Sequence, residues 1–208
     1  MPTIYLTRHG ETEWNLENRL QGWQDSPLTA KGRSHAEKLG RRLQDIPFQA
    51  VYSSPSERAY QTAQLICDGW STPIETDDRL KEIHMGEWEG QTRETIEQHD
   101  LEGYSAFWKT PHLYISKTGE NFDVLKNRLL ACFKDIQLKH QEETVLIVTH
   151  GIAINVLLAH FKGNGLDQLW MSSPFIHGTS LTIIESTEQG YSIVLEGDMK
   201  HIDRESVL

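Results

Sequence analysis

Apolar positions along this chain fall into two recurring arrangements, short β-branched runs and longer stretches with helical spacing, and their alternation predicts a sheet covered by helices. The run from Ile4 stops abruptly at Arg8 and His9, with Gly10 behind them. Ala50 to Ser53 and Pro73 to Glu75 predict further strands, and Thr144 to Thr149 a long buried one that again ends in a histidine and a glycine, His150 and Gly151. Leu181 to Ile184 and Ser192 to Leu195 read as late strands. Helical spacing puts Ala36, Leu39 and Leu43 on one face of a helix that begins at Thr29 and is ended by Pro47. Ser54 and Pro55 read as the N-cap and first residue of a helix burying Ala59, Thr62, Ala63 and Ile66. Gly119 to Gln141 offers Val124, Leu125, Leu129, Cys132, Phe133 and Ile136 for packing, and Ile152 to Phe161 follows the long strand as its helix.

This order predicts an α/β fold of three layers, α/β/α, around a mostly parallel sheet, in a single domain spanning residues 1–208. From about 85 to 117 the spacing loosens while Trp88, Tyr104, Phe107, Trp108, Leu113 and Tyr114 accumulate. That stretch is expected to leave the sheet and cover its carboxyl edge as a lid. No repeat of solenoid length and no low-complexity linker interrupts the chain.

Composition narrows the partners. An apolar fraction of 38% with six tryptophans is that of a folded globule. A net charge of -10 argues against general nucleic-acid binding, which needs a basic surface, and gives no long-range attraction for anions. Any phosphate site must be a local cluster of cations. No stretch approaches the roughly 18 apolar residues of a membrane span. The amino terminus leads at once into a strand, without a basic and then apolar leader, and Cys67 and Cys132 read as reduced structural thiols, so a cytoplasmic protein is expected. Neither HExxH nor a cysteine and histidine cluster with ligand spacing occurs, and no metal site is predicted.

The chemistry starts where the first strand delivers Arg8 and His9 to its carboxyl end, the edge at which open α/β sheets bind ligands. His150 and Gly151 repeat the design, so two neighbouring parallel strands would bring two imidazoles to one crevice. Taken alone, a histidine at a strand end is a packing residue. Arg58, in the first turn of the helix after Ser54, would place its guanidinium beside that helix's free N–H groups, and the helix after His150 would do the same. Gly10 would let the backbone turn away so that ring and arginine face one anion, and Gly151 would permit close backbone approach.

The motifs LTRHGETEWN (from Leu6), SPLTAKG (from Ser26), YSSPSERAYQTA (from Tyr52), LKEIHMGEWEG (from Leu80) and VTHG (from Val148) resemble, in order and over almost the whole chain, those of the histidine phosphatase superfamily. That family includes phosphoglycerate mutases and many small-molecule phosphatases. QGWQDSPLT, FWKTPHLY and EGDMKHI are similar to its broad-specificity phosphatases. The resemblance implies a phosphoglycerate mutase-like fold and a phosphomonoester hydrolase of small phosphate esters that needs neither metal nor cofactor. It makes His9 the nucleophile and gives the phosphoryl oxygens to Arg8, Arg58 and His150, with Asn15, Gln21, Gly22 and Gly151 lining the same site. Glu82 becomes the general acid and then the base. On spacing alone Glu82 is one more charge of a solvated loop with Asp77, Asp78, Arg79 and Lys81. His84 falls just behind Glu82, His112 and His177 stay open, and the remaining histidines read as surface or packing residues.

Two rivals accompany the hydrolase. A phosphoglycerate mutase shares the phosphohistidine but needs a closed, basic lid that excludes water, and here Arg93, Lys109 and Lys117 are diluted by aromatics and acids in a compact chain. An inactive phosphate-binding regulatory module would keep the fold alone. The physiological substrate and the oligomeric state leave no mark in the sequence.

Overall fold

In the computed structural model, which describes residues 1–172, 175–187 and 190–202, the first strand is β1 (Thr3–Arg8). A one-turn helix α1 (Glu13–Leu16) precedes α2 (Ala30–Leu43), capped by the Thr29 hydroxyl accepting from the Gly32 N–H. Then come β2 (Ala50–Ser53), α3 (Glu57–Ile66) and a short β3 (Ile74–Thr76). The excursion holds α4 (Arg93–His99) and α5 (Leu101–Lys109), between 3-10 turns at Gly86–Trp88 and Pro111–Leu113. The chain returns through α6 (Phe122–Lys139), β4 (Thr144–Thr149), α7 (Gly151–Phe161), β5 (Leu181–Thr187) and β6 (Gly190–Asp198).

The sheet runs β3-β2-β4-β1-β5-β6, with the first four strands parallel and the last two antiparallel. Its centre falls on β1 and β4 because both of their faces are apolar. Ile4, Leu6, Val145 and Ile147 pack with α6 and α7, whereas Leu146 and Val148 pack with Ala36, Leu39, Ala59 and Ala63 of α2 and α3. Each buried isoleucine, leucine or valine among them contributes roughly 1.5–3 kcal/mol by leaving water. The result is the expected three-layer α/β/α arrangement with a mostly parallel sheet.

Three local expectations change. The helix carrying Arg58 starts two residues later than Ser54 and Pro55 suggested, with Ser56 in the cap position. Val124 is 49% exposed, since it sits on the outer side of α6, while Leu125, Leu129, Cys132, Phe133 and Ile136 are buried as expected. The excursion without clean periodicity folds into two helices whose aromatics pack on several sides: Phe107 lies against Trp88, Tyr114, Phe122 and Trp170. Cys67 and Cys132 are free and buried, and burial pushes both thiols up to about 12. Among the described residues no helix is long and apolar enough to cross a membrane, and no group of three or more His, Cys, Asp or Glu side chains is set to hold a metal ion.

Candidate active site

Strand register brings the two histidines together. Arg8 pairs with Thr149 across β1 and β4, and the His9 N–H donates to the Thr149 carbonyl at 2.9 Å, so His9 and His150 leave the sheet side by side. Their rings stand edge to face, 5.2 Å between centroids. The Nδ1 of His9 lies 2.7 Å from its neighbour's carbonyl, Gly10 O, and as an N–H it donates there, which leaves the Nε2 lone pair free of a proton. Nε2 accepts from Arg58 Nε at 3.3 Å.

Arg58 is 1% exposed and all five of its N–H donors are engaged. Beyond His9, they reach Gly22 O, Gln24 O, Asp25 Oδ1 and, at 3.1 Å, His150 Nδ1. His150 in turn meets the Ser54 hydroxyl through Nε2 at 2.8 Å. Burial, and then the charges of Arg58 and Arg8, hold His9 well below the ordinary histidine range. Burial and Arg58 do the same to His150, so both rings are neutral near pH 7. Arg8 donates Nη1 to Ile176 O at 2.8 Å, while its Nε–H is buried without a protein acceptor. A buried, unsatisfied cationic donor is costly, and an anionic oxygen would satisfy it.

Glu82 lies in the same place. It is 8% exposed, and its Oε1 accepts from the N–H groups of Ile83 and Ala153, its Oε2 from that of Ile152, each at 3.0 Å. It is therefore no part of a solvated loop. Burial raises its carboxyl above the ordinary value, against the lowering by those backbone donors and by Arg58 and Arg8.

These carboxylates change the expected anion site. The first turn of α7 holds Glu82, and the N–H groups of Glu57 and Arg58 at the start of α3 hold Asp25. Those carboxylates occupy part of each helix start, and guanidinium groups, the His9 imidazole and Gly151 line the cavity beside them. Gly10 also differs: its φ is not positive, and its use is close approach, since a Cβ there would meet Gly32 O at 2.7 Å. Among the cavity-lining residues, Gly22 and Asn18 have left-handed backbones, φ +51° and +55°. At Gly151 a Cβ would rest 3.4 Å from the unpartnered Arg8 Nε.

A cavity of about 670 Å³ opens here, lined by Arg8, His9, Asn15, Gln21, Gly22, Arg58, Glu82 and Gly151 among others. Every sequence-derived site residue but one is on its wall. His150, 0% exposed, is not, and reaches the site through Arg58 and His9. Asn15 Oδ1 is taken by Thr12, leaving its amide nitrogen to donate.

Residues 4–199 match the sequence profile of the Histidine phosphatase superfamily (branch 1). The chain belongs to that family. Its fold superposes on Bacillus stearothermophilus YhfR with a TM-score of 0.95 at 49% identity, over 98% of this chain and 100% of the other. Phosphoserine phosphatase 1 of Hydrogenobacter thermophilus is 29% identical over 170 residues, 82% of this chain and 81% of that protein. A probable phosphoglycerate mutase, GpmB, of Salmonella choleraesuis is 30% identical over 214 residues, 98% of this chain and 96% of that one. This histidine phosphatase superfamily enzyme thus has relatives named as phosphatases and as mutases. The near-full-length match to GpmB removes compact length as a distinction from mutases.

Asn155, a cavity residue of this superfamily member one turn after Gly151, had escaped sequence reasoning. Arg93 and Trp108, read from the sequence as parts of the lid, also line the cavity, the guanidinium 4.9 Å over the indole ring. Trp88 and Phe107 belong to the core, so Trp108 is the one member of that aromatic group on the cavity wall. Of the histidines left open, His177 lines the cavity and His112 is exposed. His84 packs on Trp23 with the rings tilted, 4.5 Å between centroids, away from that wall.

Proposed function

We propose that this chain is a phosphomonoester hydrolase of broad small-molecule scope that works through a phosphohistidine on His9 without a metal. The observation that carries the reading is the His9 ring itself: Nδ1 tied to Gly10 O, and Nε2 unprotonated, between Arg58 and the cavity. As Arg58 Nε–H turns from Nε2 to a phosphoryl oxygen, the freed Nε2 lone pair attacks phosphorus, the ester P–O bond breaks, and its electron pair leaves with the alcohol oxygen, which takes the proton of the Glu82 carboxyl. The Glu82 carboxylate then takes a proton from water, whose oxygen attacks phosphorus. The P–N bond breaks, its electrons return to Nε2, and phosphate departs.

Arg8 and Arg58, with His150 orienting Arg58, supply fixed positive charge to the three spectator oxygens. A loose phosphoryl-transfer transition state asks for little else. Hydrolysis is favoured over mutase action by the cover: of its three cations only Arg93 lines the cavity, while Lys117 pairs with Asp100 at 3.3 Å and Lys109 is exposed. Such a lid holds one further anionic group at most and leaves room for water. The test is p-nitrophenyl phosphate without added metal, beside His9→Ala. Release by the native chain and loss of about 10³-fold or more in the variant is expected; equal release by both sinks the covalent route. With 3-phosphoglycerate, phosphate release should outpace isomerisation, and the reverse would assign the mutase.

A further inference from the structure

The backbone that carries Glu82 is held by a residue of a distant helix. Arg128, on α6, donates through Nη1 to the carbonyls of Arg79 and Lys81 at 2.8 and 2.7 Å, and through Nη2 to the carbonyl of Glu82 at 2.7 Å. Its remaining donors go to Glu120, Nε at 2.8 Å and Nη2 at 2.7 Å, in a two-oxygen fork. All five guanidinium N–H groups are then used, in a pair only 15% and 14% exposed. The Glu82 carbonyl accepts a second bond, from the indole N–H of Trp23 at 2.9 Å. Trp23 belongs to the loop whose Gly22 and Gln24 carbonyls accept from Arg58.

Glu82 is thus fastened at both ends: its carboxyl by the first turn of α7, its carbonyl by Arg128 and Trp23. Neither of these two lines the cavity. We propose that Arg128, locked by Glu120, and Trp23 are positioning residues for proton transfer by Glu82, one tying its loop to α6 and the other to the loop that holds Arg58. The inference rests on the general-acid reading of Glu82. A donor moved by about 1 Å can lose about 10²-fold in rate, so the clamp matters in proportion to how much the leaving group needs a proton. p-Nitrophenolate leaves almost unaided, whereas an alkoxide does not.

The experiment compares kcat/KM, which reports the step that expels the leaving group, for p-nitrophenyl phosphate and for an alkyl phosphate such as glycerol 3-phosphate. Arg128→Gln should lose about 10- to 100-fold on the alkyl ester and no more than about threefold on the aryl ester, with KM little changed. Arg128→Lys, which keeps the charge but not the fork, should show the same selective loss. Trp23→Phe removes one donor from a residue 44% exposed and carries the test should the buried variants fail to fold; its selectivity should have the same sign and be smaller. Added to Glu82→Gln, Arg128→Gln should cost nothing more on the alkyl ester. Equal losses on both esters, or additive losses with Glu82→Gln, would overturn the clamp while leaving the general acid in place. Absence of leaving-group selectivity in Glu82→Gln itself would overturn the general acid, and the clamp with it.

Discussion

Burial drives His9 and Glu82 in opposite directions, and the site needs both shifts. The imidazole is held below its ordinary range and stays a neutral nucleophile into mildly acidic solution, whereas the carboxyl is raised and keeps its proton to higher pH. The signs give a bell-shaped kcat/KM. Activity should fall on acidification only below the ordinary histidine value of 6.5, as His9 takes a proton, and on the alkaline side as Glu82, raised above 4.5, loses its own. In Glu82→Gln the alkaline limb should disappear, along with about 10²- to 10⁴-fold in rate for an alkyl phosphate. An alkaline limb that survives the substitution would assign that ionisation elsewhere. At this scale the sequence was legible where strands end: Arg8, His9 and His150 follow from two apolar runs that stop at polar residues. Asp25 and Arg128 were not legible. Their partners lie far away along the chain, and a single carboxylate on a loop or a single arginine in a helix carries no periodic signal.

At the level of elements, the loop after β1 and the start of α2 are in backbone contact. A Cβ on Gly32 would meet Glu11 O at 2.2 Å and Glu11 N at 2.7 Å, just beyond His9 and Gly10. Neither neighbour is a flexible side chain, so Gly32→Ala should push α2 from the loop. We expect a destabilisation of about 1–3 kcal/mol, read as a lower unfolding midpoint, and weaker phosphate binding because the His9 backbone shifts. An unchanged midpoint with full activity would contradict that packing. The helices beneath the sheet were readable because each buries one stripe. α4 and α5 were not, since Phe107 and its aromatic neighbours are packed from several directions and no single face repeats. What the helix starts hold was not legible either: the first-turn N–H groups of α3 and α7 attract any acceptor, and side chains from distant loops, Asp25 and Glu82, take several of them.

For the whole molecule, the decisive fact is that β1 and β4, far apart along the chain, lie adjacent at the centre of one sheet. Their adjacency gathers two imidazoles and two guanidinium groups within a protein of net charge -10, so the cation cluster is local and its reach short. Alternating strands and helices foretold the three layers, and five ordered motifs foretold the family. What the cavity wall selects depends on Arg93, Trp108 and His177, which only the folded chain brings to one rim. The covalent step on His9 is the claim on which the rest depends. It is tested most directly by mixing the protein with an aryl phosphate labelled at phosphorus, quenching in base within one turnover, and mapping the label by mass spectrometry. An acid-labile phosphoryl group on the peptide containing His9, lost on adding acid and absent from His9→Ala, is the expected result. Steady phosphate release with no label on that peptide, or with label on another residue, would contradict it.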